Sequence, residues 1–277
     1  MSLKDKSLIL IEHGEWIFDL MGPLFQEGLI NRLGASARDL RLPMMELSLH
    51  AYGVSKMEPH PLKRTGRFLG EAIFQERDSE TLQRLAAGVY AKARPIPFSQ
   101  ERKSVIAMAE RFIASKSVAT GELVERWIST YLLLGDVHFR SGSSPHAFGC
   151  IFLGEKMDSL AFENLAVSIV HEMAHQELFL FNLIDRLVNA EADFNLVHAP
   201  FQGIKRPPIG RLHSLYALFR MVEFEKLADL PHERHQQLLL DTIHSFEEFE
   251  LTDFAKRLLR SIERGLSLDK VVRRAYA

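Results

Sequence analysis

His171-Glu172-Met173-Ala174-His175 sets two imidazoles four residues apart, with a carboxylate beside the first. On an α-helix, positions i and i+4 share one face, so both rings point the same way and can grip one metal ion from one rigid element. Two chemistries use such a grip. Zinc with a bound water would make Glu172 the general base of a peptidase. Ferrous iron with open coordination positions would run oxygenase chemistry. A third use is a closed structural metal in a non-catalytic helical protein.

Such sites take at least three protein ligands, so a further donor is required. The metzincin continuation would need Gly and then His after His175, and Leu178 and Phe181 stand there instead. Glu191 is 16 residues past His175, about 24 Å along one continuous helix, and Asp193 has the same fault. The chain must first reverse, and the stretch from His198 to Gly210 is dense enough in Pro and Gly to do so. The next helix, expected from Arg211 to Leu227, carries His213 in its first turn, and His213 is the preferred third ligand. His198 comes second, and Glu223 is the gluzincin-like choice. Glu223 and His213 lie about 15 Å apart along that helix and cannot serve one ion together. Lys205, Arg206 and Arg211 cluster just ahead of His213. Arg can hold a carboxylate through a two-pronged fork, so the cluster suits an anionic ligand.

The HExxH run must sit on a buried rod. Apolar residues from Leu160 to Val188 cover most of the circumference of a helix predicted over about 159–190, capped by Asp158 or Ser159. Two imidazoles and a carboxylate are costly to bury there unless a cation compensates. Ahead of it, 135–140 and 146–153 alternate like strands. The first 134 residues read as helices. Trp16, Leu20, Leu24, Leu29 and Leu33 form a core stripe. Further helices are expected over 42–52, 67–75, 80–93, from Ser99 to Ala114 and over 122–134. After 230, His232 and His235 open a solvent-facing helix. Thr252 caps another that Gly265 stops, and 268–276 is a basic helix that packs on the body or on a second copy in a homodimer.

The expected class is mainly α with a small β-sheet (α+β): a zincin-like strand and a buried HExxH helix inside a helical body. Residues 1–134 would be a helical region packed on the catalytic part, 135–230 the metal-binding core and 231–277 C-terminal helices, all in one compact unit. With 277 residues, 47% hydrophobic, the chain can bury a large core. Net charge is −2, which gives no electrostatic case for nucleic acid or an anionic membrane. No run reaches the roughly 20 apolar residues of a membrane span. The single cysteine, Cys150, excludes an intrachain disulfide and suits the cytoplasm.

Three stretches together resemble a known family. A strand at Phe148–Leu153 precedes Val170-His-Glu-Met-Ala-His175, and Lys205-Arg206-Pro207 precedes Arg211-Leu212-His213. Over about 135–230 the chain resembles the HExxH peptide-modification proteins, the 2-oxoglutarate-dependent HExxH-type peptide β-hydroxylases. The resemblance implies an iron dioxygenase that hydroxylates the β-carbon of a residue in a ribosomally made precursor peptide, using Fe(II), 2-oxoglutarate and O2. It implies His171, His175 and His213 as iron ligands. Arg206, or failing that Arg211, would bind 2-oxoglutarate, and Glu172 would act beside the metal.

Overall fold

A computed structural model describes residues 15–34, 44–52, 68–69, 92–159, 161–189, 196–199, 203–248 and 251–275. Eight α-helices and a small mixed sheet make up the described residues, an α+β architecture. The helices are α1 (Glu15–Leu33), α2 (Met44–Ala51), α3 (Gln100–Lys116), α4 (Val118–Trp127), α5 (Phe162–Ile184), α6 (Pro208–Leu227), α7 (Glu233–His244) and α8 (Asp253–Ala275). The chain divides into two compact units, 22–176 on one hand and 1–21 with 177–277 on the other; the division falls inside α5, after Gln176.

The first unit is built on β3 (Thr130–Gly135), whose six residues are all buried. A strand covered on both faces needs a continuous apolar run, and Tyr131-Leu-Leu-Leu134 supplies it. Sequence periodicity instead predicts that α4 continues to 134. The helix stops at Trp127, with Ile128 leaving helical geometry, and the chain becomes a strand. A short, uniformly apolar run has no period to tell helix from strand, and pairing with a neighbour decides it. That neighbour is β5 (Cys150–Gly154), parallel to β3 from Thr130↔Cys150 to Leu134↔Gly154. β1 (Phe68–Leu69) pairs parallel with the start of β3, and β2 (Arg94–Pro95) pairs antiparallel with its end. β4 (Ser141–Gly142) lies antiparallel on the outer side of β5.

Of the alternating 135–140 run only Gly135 is in a strand, as the last residue of β3, and 136–140 bend towards β4 instead of forming the expected strand. Asp136 adopts φ 60° and accepts a 2.6 Å hydrogen bond from Arg94 Nε. α3 and α4 meet tightly. A Cβ on Gly121 would stand 2.6 Å from Ala114 Cα, so only glycine lets the two backbones approach. Ser99 accepts a hydrogen bond from the Arg102 amide at the start of α3, as its position predicts.

α1 forms, but the apolar stripe differs from the one expected. Ile17, Phe18, Phe25 and Leu29 are buried, whereas Leu20 and Leu24 are 51% and 59% exposed. Of the helices expected over 67–75 and 80–93, nearly all residues lie outside the described ones, and Phe68–Leu69 form a strand.

In the second unit, β6 (Val197–Ala199) and β7 (Ile204–Arg206) pair as an antiparallel hairpin turned through Gly203 at φ 67°. This is the reversal that Pro and Gly density demands. α6 begins three residues earlier than predicted, because Pro208 fits the first helical turn, where no backbone N–H is needed. The end of α5 packs there on α6 and α8 through Phe181, whose ring centroid is 5.9 Å from Tyr216 and 6.3 Å from Phe254. Thr252 accepts from the Ala255 amide and caps α8. α8 then runs through Gly265 to Ala275, so the expected stop and the separate basic helix are one helix. A single glycine costs a helix only about 1 kcal/mol, too little to end one with a long polar–apolar pattern.

Candidate metal centre

α5 brings the HExxH run into the interior by burying its neighbours. Leu165, Ala166, Ile169, Val170, Met173, Ala174, Leu178 and Leu180 are 0–1% exposed. It spans Phe162–Ile184 rather than 159–190, and Asp158 and Ser159 fall within the preceding 3-10 turn, Glu155–Ser159. At the C-terminal end, Asn182 Oδ1 accepts from the Leu187 amide. His171 and His175 are half-buried.

The rings stand edge to face with centroids 4.5 Å apart, and their Nε2 atoms are 3.0 Å apart. Glu172 Oε1 lies 3.9 Å from His171 Nε2. The donor atoms of His171, Glu172 and His175 all fall within 4.8 Å of one another. Among the described residues this is the one group of three or more His, Cys, Asp or Glu with metal-binding spacing.

Glu172 is 2% exposed, and both its oxygens accept a serine hydroxyl. Ser141 donates to Oε1 at 2.7 Å and Ser143 to Oε2 at 2.8 Å. One turn on, Gln176 Oε1 accepts the Gly149 amide at 2.8 Å. Gly149 has φ 86°, and a Cβ there would meet the Trp127 carbonyl at 2.8 Å. Two polar residues on one stripe of α5 thus fasten the stretch from β4 to the start of β5. None of these partners is among the residues read as functional from the sequence. The run Ser141-Gly-Ser-Ser144 reads as an ordinary turn, and its only sequence signal is the density of hydroxyls.

The remaining candidates lie on the second unit. His213 is half-buried in the second turn of α6, because that helix starts at Pro208. His198 is exposed on β6. Glu223 accepts a 2.8 Å hydrogen bond from Arg220 Nη1, within a buried cluster described below. Glu191 and Asp193 lie outside the described residues. Arg206 is exposed at the end of β7. Arg211 is 1% exposed, and its guanidinium donates to the Ser245 carbonyl at 2.5 Å and to the His198 carbonyl, over the Phe246 ring. Those bonds tie the β6 strand to the turn after α7.

Glu177 of α5 meets Tyr216, Arg220 and the partly exposed Glu223 of α6 in an ionic cluster. Glu177 Oε2 accepts from the Tyr216 hydroxyl at 2.8 Å and lies 3.2 Å from Arg220 Nε. Burial works against the Arg220 charge, but Glu177 and Glu223 outweigh it and raise its pKa. Burial, and then the Glu177 charge, push the Tyr216 phenol well above its ordinary value. His235 is not the purely solvent-facing residue its neighbours suggest. Its Nδ1 lies 2.6 Å from Oε1 of the buried Glu225.

No family model matches the chain, and no curated protein matches it. No helix among the described residues is long and apolar enough to cross a membrane.

Proposed function

We propose that the protein is an Fe(II)- and 2-oxoglutarate-dependent oxygenase that hydroxylates the β-carbon of a residue in a ribosomally made peptide. The observation that carries the metal part is the 3.0 Å separation of the two Nε2 atoms on a buried helix. Two metal–nitrogen bonds of about 2.0–2.1 Å put their nitrogens about 3.0–3.4 Å apart, for right-angled or tetrahedral coordination alike, so the pair could hold one ion. The same separation admits a hydrogen bond between the rings, and a cation would take the place of that hydrogen.

His171 and His175 are the two assigned ligands, and the family resemblance supplies His213 as the third, ahead of His198 and Glu223. When bound, iron and 2-oxoglutarate supply the oxidising power, with O2 reduced as the keto acid loses CO2 and a C–H bond becomes C–OH. The chain's own residues have the remaining tasks. Arg206, exposed at a strand end, is the arm for the far carboxylate of 2-oxoglutarate. Arg211 is spent on backbone carbonyls and serves better as a brace. Glu172 places a negative charge beside the cation.

The zinc-peptidase reading asks Glu172 to take and return a proton each cycle. Both its oxygens already accept a serine hydroxyl, an arrangement that suits a fixed charge beside the metal and so favours the oxygenase reading. The test is anaerobic addition of Fe(II) and 2-oxoglutarate to metal-free protein. A visible charge-transfer band is expected, lost in His171→Ala and His175→Ala, with succinate formed once O2 is admitted. Absence of the band together with tight zinc binding and casein cleavage would replace the oxygenase with the peptidase. Arg206→Lys should raise the 2-oxoglutarate requirement. His213→Ala and Glu223→Ala, compared side by side, decide the third ligand.

A further inference from the structure

We infer that Ser141 and Ser143 are positioning residues of the metal centre, holding the Glu172 carboxylate in one orientation beside the paired imidazoles. The inference rests on the metal reading of His171 and His175, and adds to it the part of the sheet that builds the site. Glu172 sits at 2% exposure, with Oε1 3.9 Å from His171 Nε2. A divalent cation held by two neutral imidazoles would keep its full charge in an apolar surround, and a carboxylate at this distance neutralises half of it. That benefit depends on direction. A buried glutamate has three side-chain torsions, and an alternative rotamer would carry the charge away. The two hydroxyls remove this freedom. At 2.7 and 2.8 Å they take one oxygen each, one from β4 and one from the residue just after it. Ser143 Oγ also lies 3.5 Å from the Glu172 carbonyl, so it meets both ends of the same residue.

β4 is two residues long and pairs with β5 only at Ser141↔Leu153 and Gly142↔Phe152. So brief a ladder fixes little by itself. With the Gln176–Gly149 bond beyond it, the serine contacts attach the segment to α5 at both ends. Partners hydrogen-bonded to a metal's own ligands typically change its affinity by about 10–100-fold when lost, and the serines act one step further out, through Glu172, so the low end of that range applies.

The test is Co(II) titration of metal-free protein, read by visible absorption and by competition with a chelator, on wild type, Ser141→Ala, Ser143→Ala, the double variant and Ser143→Thr. The double variant should bind Co(II) about 10-fold more weakly, with a changed ligand-field spectrum, and Ser143→Thr, which keeps a hydroxyl, should stay near wild type. Each single variant retains one hydroxyl on Glu172 and should lose several-fold. These carry the test if circular dichroism shows the double variant unfolded. Wild-type affinity and spectrum in the folded alanine variants would overturn the positioning role while leaving the metal centre standing. Failure of wild type itself to bind Co(II), with His171→Ala indistinguishable from it, would overturn the metal centre and this inference with it.

Discussion

Arg220 is the cation of a buried cluster, and its removal gives the sharpest stability test. It is 4% exposed between Glu177, at 0%, and Glu223, at 25%. Arg220→Met keeps most of the volume and strips the counter-charge from two carboxylates. Leaving one member of a buried pair alone costs about 3–5 kcal/mol. Glu177 carries most of this, because Glu223 can turn partly to water. Tyr216→Phe removes only one hydroxyl from Glu177, whose charge keeps Arg220; a hydrogen bond to a charged group is worth about 1.5–3 kcal/mol. Urea unfolding should therefore rank the variants with Arg220→Met below Tyr216→Phe. For a slope of about 3 kcal/mol/M, the two midpoints should fall by roughly 1–1.7 M and 0.5–1 M. The double variant Arg220→Met/Glu177→Gln should regain stability over Arg220→Met, since it removes the stranded charge. An Arg220→Met cost below about 1 kcal/mol, or a double variant no more stable than the single, would refute the account of Glu177 as a buried anion held by Arg220.

Other outcomes follow from the same structure. The Tyr216 phenol titrates higher in the folded protein than in the unfolded chain, so the folded state keeps its proton longer and stability drains as pH rises above about 10. The advantage of wild type over Tyr216→Phe should shrink by about 1.4 kcal/mol between pH 8 and 11, measured by urea unfolding, and a constant gap would count against the buried phenol. Cys150 is fully buried and burial pushes its thiol up, so a thiol reagent should label it only at the rate of unfolding. Labelling within minutes in native buffer would show β5 to be open. Gly149→Ala forces a left-handed backbone on alanine and a 2.8 Å approach to the Trp127 carbonyl. A loss of about 2–3 kcal/mol, seen as a fall of roughly 5–10 °C in thermal midpoint, is expected, and an unchanged midpoint would contradict that geometry.

The helices around the site were legible because their signals are local. The metal helix announces itself by apolar residues on nearly every side, α3 by Ser99 at its cap and α8 by Thr252. β3 was not legible, since Tyr131-Leu-Leu-Leu134 has no period and becomes a strand only by pairing with β5, twenty residues on. The paired histidines could be found by spacing alone. The serines on Glu172 could not, because they lie 29 and 31 residues away and the contact exists only once the sheet forms. The His235 contact is hidden in the sequence for a related reason. Its exposed helix neighbours say nothing of Glu225, which reaches it from the preceding helix.

The stripe on α5 has a consequence for how this chain can vary. His171 and His175 repeat at the same interval as Glu172 and Gln176, so a single turn of backbone sets the metal pair and both fasteners of the β4 segment together. One residue inserted between 172 and 175 would rotate the second half of each pair by about 100° and lose both at once. A residue added at the exposed Pro145–His146 turn would disturb only the fastening. Length changes in these two places are therefore unequal, the helix tolerating none and the surface turn absorbing some.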